Sequence, residues 1–450
     1  MKRDPQALQD REHDVLVIGG GIAGAWVVWE AASRGLSAAL VELEDFGQAT
    51  SWSSLKTAHG GLRHLQRLDV AGFRESVRER RALLRVAPEV VRPLSFAIAA
   101  TGLVDRAKFF MGGLLNDVLS FDRNHGLRPD RNLGASRWLS SAEASARCGP
   151  AFAGSPAFVW QDAQITHTER LLMALLHAAS AARAVIVNRC RLLSCEPAPG
   201  GFALRAVDEP GGQDLTIRAR SIVNASGAQL ENVARLFGGT CGSPPLIRGV
   251  NVVLRDDLSP GVAIGARDGE RFLFLAPWLG RSILGTVYDD GGPPVDQLVR
   301  QLMEGGRRAF PWADLADSEI AAVHSGHVPG APNGEPIYRS RVIGHADPRI
   351  LSILTAKYTT ARATAEKVID RLGATLNGKI APSVSAGRAL PMAKPLAGSL
   401  ALRLRVAQEE EMALSVEDAL RGRLIEGAFG DVIANLDRES DKIPSSPSDL

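Results

Sequence analysis

Apolar residues gather in short unbroken runs on either side of a glycine-rich turn in "HDVLVIGGGIAGAWVVWEAASRGLSAALVELEDF". This pattern predicts a strand from Val15 to Ile18, a glycine turn, a helix to about Ser33 and a second strand from Ala38 to Glu42, together a βαβ unit. Residues 69–88 set Val70, Phe73, Val77 and Leu84 at helical spacing behind Asp69, a cap candidate, which predicts an arginine-rich helix. The stretch 106–123, "RAKFFMGGLLNDVLSFDR", is apolar over a wide face and cationic at its ends. Its even apolarity predicts a helix buried in a core, with a helix lying on a membrane surface as the alternative.

Further along, "ERLLMALLHAASAARAVIVNRCRLLSCEP" predicts helix then strand, and "RARSIVNASGA" a strand ending at Asn224. Between 245 and 288, short β-rich runs separated by turn residues predict a separate, mostly antiparallel sheet. The stretch "RILSILTAKYTTARATAEKVIDRL" returns to strand, turn and helix. The charged start "MKRDPQALQDREHD" lacks the apolar core of a secretory signal and predicts a frayed lead-in, while the polar end "DRESDKIPSSPSDL" predicts disorder.

Composition narrows the function classes. A chain of 450 residues with 45% hydrophobic residues has room for roughly three domains. Lys and Arg total 52 against 50 Asp and Glu, so no basic block offers a grip on nucleic acid and a small-molecule partner is expected. The apolar stretch at 93–104 is shorter than the ~18 residues of a spanning helix. Cys148, Cys190, Cys195 and Cys241 lack metal-ligand spacing and read as reduced thiols, which predicts a cytoplasmic protein. His324 and His327 stand three apart, but no Cys or acid nearby completes a ligand set, so no metal is expected.

Gly19, Gly21 and Gly24, with Ile22 and Ala23 between the last two, form GxGxxG directly after a strand, and Glu42 closes the second strand eighteen residues after Gly24. Both context conditions for a dinucleotide site are met. The first glycine makes the turn, the second lets backbone approach a pyrophosphate, the third seats helix on strand, and the helix N-terminus offers N–H donors. Glu42 is then the acceptor for the adenosine ribose. The unit alone does not choose between NAD and FAD. With one such fingerprint, a flavin bound here would pass electrons to a quinone, oxygen or a protein carrier.

The segment "DFGQATSWSSLKTAHGGLRHLQ", taken with the βαβ unit, resembles the FAD-dependent glycerol-3-phosphate dehydrogenases. The resemblance continues through "FRESVRERRALLRVAPEVVRPLSF", "QDAQITHTERLL", "IVNASGA", "FLFLAPWLGRSILGT", "AKYTTARATAEKVI" and "EEEMALSVEDALRGRL", over most of 12–424. It implies an α/β fold: a discontinuous Rossmann-like FAD-binding domain of the D-amino-acid-oxidase type, a mixed or antiparallel-sheet substrate cap, and a short helical C-terminal part. The expected boundaries are 12–68, 155–228 and 318–378 for the FAD domain, 69–154 and 229–317 for the cap, 379–436 for the helical part and 437–450 for a disordered tail. The helical part is shorter than in typical members of the family.

The resemblance also implies roles for single residues. Thr50, Ser51 and Ser54, followed by Lys56, line the FAD phosphates and ribityl chain; His59, Gly60 and Gly61 lie along the isoalloxazine, where Gly-Gly lets backbone approach a flat ring. Ser226 and Gly227 of "IVNASGA" join the cofactor set. Arg63, Arg339 and Lys357 converge on an anion, Lys357 also standing beside the flavin, and Thr359 and Thr360 cap the helix behind it. The implied FAD is not covalently attached.

Departures from the family cluster at substrate positions. A family tyrosine is His64, a histidine is Asn251, an arginine is Val328 with His327 one position earlier, a Gly-Gly pair is Thr355-Ala356, and an acid is Tyr288. Asn251 cannot take up a proton as histidine does. His64 is the first candidate base and His327 the second, each also readable as a structural hydrogen-bond partner. The resulting expectation is oxidation of sn-glycerol-3-phosphate or a similar anionic secondary alcohol, with electrons leaving to a quinone or other acceptor, and with peripheral contact to the inner face of a membrane. The alternatives are oxidation of another hydroxy acid or amine, or a flavin-binding paralogue without turnover.

Overall fold

In the computed structural model, which describes residues 1–424 except 101, 260, 290–291, 377–379 and 392–393, the first apolar run forms β1 (Glu12–Ile18), α1 (Ile22–Ser33) and β2 (Ala38–Val41). The chain continues through β3 (Thr57–Ala58), α2 (Leu62–Gln66), α3 (Val70–Val86), β4 (Val91–Ala99), α4 (Leu103–Leu119), β5 (Arg137–Leu139), α5 (Ser141–Cys148), β6 (Ala157–Ile165) and α6 (Thr168–Ala181). Then come β7 (Val185–Val187), β8 (Cys190–Ala198), β9 (Gly201–Asp208), β10 (Gln213–Asn224), α7 (Leu230–Arg235), β11 (Leu246–Leu254), β12 (Val262–Asp268), β13 (Arg271–Trp278) and β14 (Arg281–Asp289). The remaining elements are α8 (Val295–Ala309), β15 (Ile320–Pro329), β16 (Arg341–Gly344), β17 (Ile350–Leu354), α9 (Ala361–Gly373), α10 (Leu400–Glu411) and α11 (Val416–Gly422). The expected disordered tail and the 425–436 end of the helical part lie outside the described residues.

One eight-stranded sheet has the order β16-β17-β10-β1-β2-β7, with β9 on β10 and β8 on β9. Its centre is parallel, β1 lying between β10 and β2. These strands are buried on both faces, which is why they read as unbroken apolar runs rather than alternating ones. Helices α1, α6 and α9 cover one face through Trp26, Leu175 and Val368, and Leu204 and Ile217 of the β9–β10 hairpin close the other. The carboxyl ends of β1, β2 and β10 meet at one edge, where an α/β sheet binds its ligands.

The second sheet has nine strands in the order β15-β11-β14-β13-β12-β4-β6-β3, with β5 on β6. The predicted antiparallel region at 245–288 forms its middle, and α8 packs Leu298, Leu302 and Met303 against it. The strands at 57–58, 157–165 and 320–329, assigned above to the cofactor domain, pair within this second sheet instead. Pairing decides membership here, and no local pattern reveals the partner.

Two further expectations are corrected. The amino terminus is not frayed: Arg3 donates to the Asn188 carbonyl and pairs with Asp208, and Leu8 is fully buried. Helix α4 is not buried, since within it only Gly113 and Asn116 lie in the interior, while Leu103 is 84% exposed and Phe110, Met111, Leu114 and Val118 face solvent. Its even apolarity therefore marks a surface. Among the described residues no helix is long and apolar enough to cross a membrane. All four cysteines are free.

The helical C-terminal part is held to the first sheet by buried charge pairs. Arg423 grips Asp45 through two 2.8 Å hydrogen bonds, both side chains at 0% exposure, and Arg170 of α6 grips Glu411 at 2.7 and 2.9 Å. His177 adds a 3.1 Å contact to Glu411, and its carboxyl, though burial opposes the charge, is drawn down to about 2 by His177 and Arg170. Replacing Arg423 with Met leaves the Asp45 carboxylate buried without its cation. The expected loss is about 3–5 kcal/mol of stability, read by chemical denaturation, whereas a change within error would mean that Asp45 is rehydrated.

Candidate active site

The β1–α1 turn is built by contacts that admit no side chain. Gly19 has φ +108°, and a Cβ there would stand 2.6 Å from the Ala225 carbonyl oxygen at the end of β10. A Cβ on Gly24 would overlap the Gly19 carbonyl oxygen. Ser226 thus lies against the turn, with its hydroxyl held by Asn224 at 2.6 Å, and Gly227 follows it at φ +59°. Ile22 begins α1, with Ala23 behind it, and its N–H donates to Ser51 Oγ at 3.0 Å, which brings the 50–54 segment over the helix N-terminus.

Glu42 accepts from Gly20 N–H and from Glu44 N–H at 2.8 Å, and burial raises its carboxyl above the ordinary range. A helix N-terminus, a glycine turn and a half-buried acid at the strand ends fit an ADP-bearing dinucleotide.

The 50–61 segment is partly a structural brace. Thr50 Oγ1 donates to the His327 carbonyl at 2.9 Å and accepts its N–H at 3.1 Å, tying the segment to β15. Ser54 Oγ accepts from Lys56 N at 3.3 Å. Lys56 is fully buried: its Nζ donates to Trp52 O at 2.8 Å and Thr168 Oγ1 at 2.7 Å, and burial brings its pKa down to about 8. His59 is braced by Thr57 at 2.8 Å and Asp162 at 3.3 Å. A Cβ on Gly60 would strike the Arg80 guanidinium and Asp162, and Gly61, at φ +92°, would set one 2.9 Å from Ser76 Cβ, so the surrounding structure favours the Gly-Gly pair without any ligand.

A cleft of about 340 Å³ opens between α2 and the 331–339 loop, lined by Arg63, His64, Arg67, Asp69, Tyr338, Arg339 and their neighbours. Arg63 donates to the Tyr338 hydroxyl and lies 5.5 Å from its ring centroid. Lys357 Nζ stands 2.9 Å from His64 Nε2 and 5.1 Å from the same ring, and burial together with Arg63 brings its pKa down to about 8. Asp69 accepts from His64 Nδ1 at 2.9 Å and from Arg339 at 2.8 and 3.0 Å. Burial and then Lys357 lower the His64 pKa, with Asp69 opposing.

Arg63, His64 and Arg339 line the cleft and Lys357 reaches it only through His64, whereas His327 is exposed on β15 and lines no part of it. Thr360 precedes α9 without a side-chain cap, its hydroxyl meeting Ser340 at 3.1 Å, while Thr359 is buried beside it. Asn251 accepts from Thr286 Oγ1 at 2.6 Å. His324 is buried against Trp52 and Trp278. The sequence marked Asp69 only as a cap, a role it does fill by accepting from Gly72 N–H at 3.0 Å, and left Tyr338 and Arg67 unmarked. A lone tyrosine in a loop carries no signal of its own, whereas an acid five residues after a histidine in one turn was a legible hint.

A family model described as FAD dependent oxidoreductase (DAO) matches residues 14–370. The chain belongs to that family. Glycerol-3-phosphate dehydrogenase of Synechocystis sp. is 28% identical over 434 residues, covering 88% of this chain and 76% of that protein. The mitochondrial glycerol-3-phosphate dehydrogenase of Homo sapiens is 27% identical, covering 87% of this chain but 57% of its own length. The glycerol-3-phosphate dehydrogenase from Bacillus halodurans, solved with FAD, has the same fold at a TM-score of 0.65 and 21% identity, covering 85% of this chain and 69% of that one.

FAD is the cofactor of this family, and the glycine turn, α1 N-terminus and Glu42 fit its ADP half. A Gly24→Ala substitution forces the turn apart. It is expected to weaken FAD retention at least about tenfold, equivalent to about 1.4 kcal/mol, read as flavin absorbance per mole of purified protein; full retention would mean that the turn is not the pyrophosphate site.

Proposed function

We propose that the protein is an FAD-dependent dehydrogenase that oxidises sn-glycerol-3-phosphate or a similar anionic secondary alcohol, with electrons passing to a quinone or other acceptor. The observation that carries this reading is the charge balance of the cleft. Arg67 is matched by Glu335 and Arg339 by Asp69, whereas Arg63 donates to a phenol and Lys357 pairs with an imidazole. Arg63 at the cleft and Lys357 behind His64 are therefore cations bonded to neutral partners, and in this reading they serve the anion. The names of the Synechocystis and human relatives support the same substrate.

In this reading the second sheet serves as the substrate cap, and bound FAD supplies the acceptor for the hydride leaving the carbinol carbon. The guanidinium of Arg63 offers a planar fork to a phosphate or carboxylate, and Lys357 adds a point charge. His64 is the base nearest the cleft, held neutral by its burial. One observation favours the second reading, a different hydroxy acid or amine: Asp69 neutralises Arg339, which suits a singly charged carboxylate better than a phosphate dianion.

Anaerobic mixing with glycerol-3-phosphate decides between them: bleaching of the oxidised flavin band is expected, and a band that persists with it but bleaches with a hydroxy acid or amine selects the second. Persistence with every member of the panel would leave only a flavin-binding paralogue. Arg63→Gln is expected to raise KM about 10–100-fold, the loss of a charge-assisted hydrogen bond of about 1.5–3 kcal/mol. Because Lys357 is cationic below its pKa and neutral above it, KM is also expected to rise as pH passes upward through about 8; a flat profile there would exclude Lys357 from anion binding.

Electron transfer to a quinone calls for a lipid surface, and α4 is the candidate contact, at the inner face of the membrane of a cytoplasmic protein. Its exposed Leu103, Phe110, Met111, Leu114 and Val118 form an apolar face, with exposed Arg106 and Lys108 to meet anionic headgroups. Phe110→Ser with Leu114→Ser is expected to reduce cosedimentation with anionic phospholipid vesicles at least about tenfold, given about 1.5–3 kcal/mol for each fully buried apolar side chain, while flavin content stays normal. Undiminished cosedimentation would exclude α4.

A further inference from the structure

Asp69 is the one carboxylate in direct contact with the candidate base among the described residues, and three donors reach it from different parts of the chain. Gly72 N–H at 3.0 Å starts α3, His64 Nδ1 at 2.9 Å comes from α2, and the Arg339 guanidinium at 2.8 and 3.0 Å comes from the 331–339 loop. A carboxylate only accepts, and Arg339 and the Gly72 amide both keep Asp69 ionised: its carboxyl lies below the ordinary range despite some burial. Nδ1 of His64 must then carry the hydrogen, so in the neutral ring Nε2 is bare. That bare nitrogen is the atom 2.9 Å from Lys357 Nζ.

The ring has little freedom to turn away. A Cβ on Gly72 would lie 2.7 Å from His64 Nδ1 and one on Gly61 3.2 Å from its Cδ2, so backbone closes on both edges. The 64 side chain is 8% exposed.

We infer that Asp69 is a positioning residue for proton removal: it holds His64 in the Nδ1–H tautomer, so that Nε2 is the atom that receives the substrate's hydroxyl proton while the Lys357 ammonium stays beside it. The reaction step rests on the dehydrogenase reading above; the tautomer does not. In the step, the substrate O–H bond breaks, its proton bonds to His64 Nε2 in place of the Lys357 hydrogen bond, and the carbinol C–H electron pair leaves with its hydrogen to the oxidised cofactor of that reading. The Asp69 charge keeps the resulting imidazolium accessible. This arrangement depends on His64, whose Nδ1 lies 2.9 Å from Asp69.

The charged and titratable groups around the pair are Arg63 on α2, Arg67 just after it, Asp69 and Glu75 at the start of α3, Asp162 on β6, and Glu335, Tyr338 and Arg339 on the loop. Asp69 favours protonation of His64, while Lys357 and Arg339 oppose it. The two neighbours of opposite sign supply a control that simple loss of structure cannot imitate.

The experiment uses the FAD-loaded full chain and its Asp69→Asn, Arg339→Gln and His64→Gln variants. Asn is as good a helix cap as Asp, so Asp69→Asn keeps the start of α3 while removing the charge. Histidine 15N spectra without substrate, with the His64 signal assigned by its loss in His64→Gln, are expected to show the Nδ1–H tautomer in the unaltered protein and a mixture in Asp69→Asn. In anaerobic reduction by glycerol-3-phosphate, the acid limb of the rate profile is expected to move down by about one pH unit or more in Asp69→Asn, to move up in Arg339→Gln, and His64→Gln is expected to lose about 100-fold or more.

An Nε2–H tautomer in the unaltered protein, or an acid limb unmoved by Asp69→Asn, overturns the proposal. Failure of every protein to bleach with glycerol-3-phosphate would instead sink that substrate, and the tautomer would still stand or fall on the spectra.

Discussion

The constraint on which the rest of the structure depends is the close passage of three backbone segments at the end of β1. Gly19 lies against Ala225, Gly24 lies against Gly19, and no Cβ fits at either glycine. This contact brings the carboxyl ends of β1, β2 and β10 and the start of α1 to one place. The 50–54 segment follows, because Ile22 N–H reaches Ser51, and Thr50 then binds the β15 backbone. One steric condition thereby joins the cofactor edge of the first sheet to the edge strand of the second. Opening it would loosen both at once.

From that junction the chain leads through β3 and the Gly-Gly pair into α2, where a different economy of charge governs. Arginine is plentiful in this region, but most of it is neutralised locally: Arg80 by Asp162, Arg67 by Glu335, Arg339 by Asp69. An arginine already facing a carboxylate brings less net charge to a bound anion than a cation whose partner is neutral. Arg63 and Lys357 are cations of the latter kind. Asp69, by contrast, joins a helix cap, a histidine and an arginine, so that the orientation of the candidate base depends on the folding of α3.

The periphery carries two further consequences of charge and apolarity. Asp45 lies just beyond Glu42, and its buried pair with Arg423 means that the helical C-terminal part braces the loop leaving β2. Helix α4 does the reverse and leaves its apolar side uncovered. The two were not equally legible. The C-terminal resemblance could be read from "EEEMALSVEDALRGRL", but its ion-pair partners lie hundreds of residues upstream and no local pattern names them. The apolar stretch of α4 was plain, yet composition alone does not tell a buried face from one turned outward.

By itself the sequence determined the elements governed by local rules: the βαβ unit, the Asp69-capped helix α3, the antiparallel run at 245–288, and a glycine fingerprint whose spacing admits few alternatives. It also brought forward Arg63, His64, Arg339 and Lys357, through resemblance rather than through spacing. Tertiary structure alone decided which sheet received the strands at 57–58, 157–165 and 320–329, that His327 stands outside the cleft, that Arg339 is occupied by Asp69, and that Gly60 and Gly61 are crowded by Arg80, Asp162 and Ser76. The physical reason is common to all four. Backbone conformation and periodicity are written within a few residues, whereas strand pairing, burial and charge neutralisation depend on groups that only folding brings into contact.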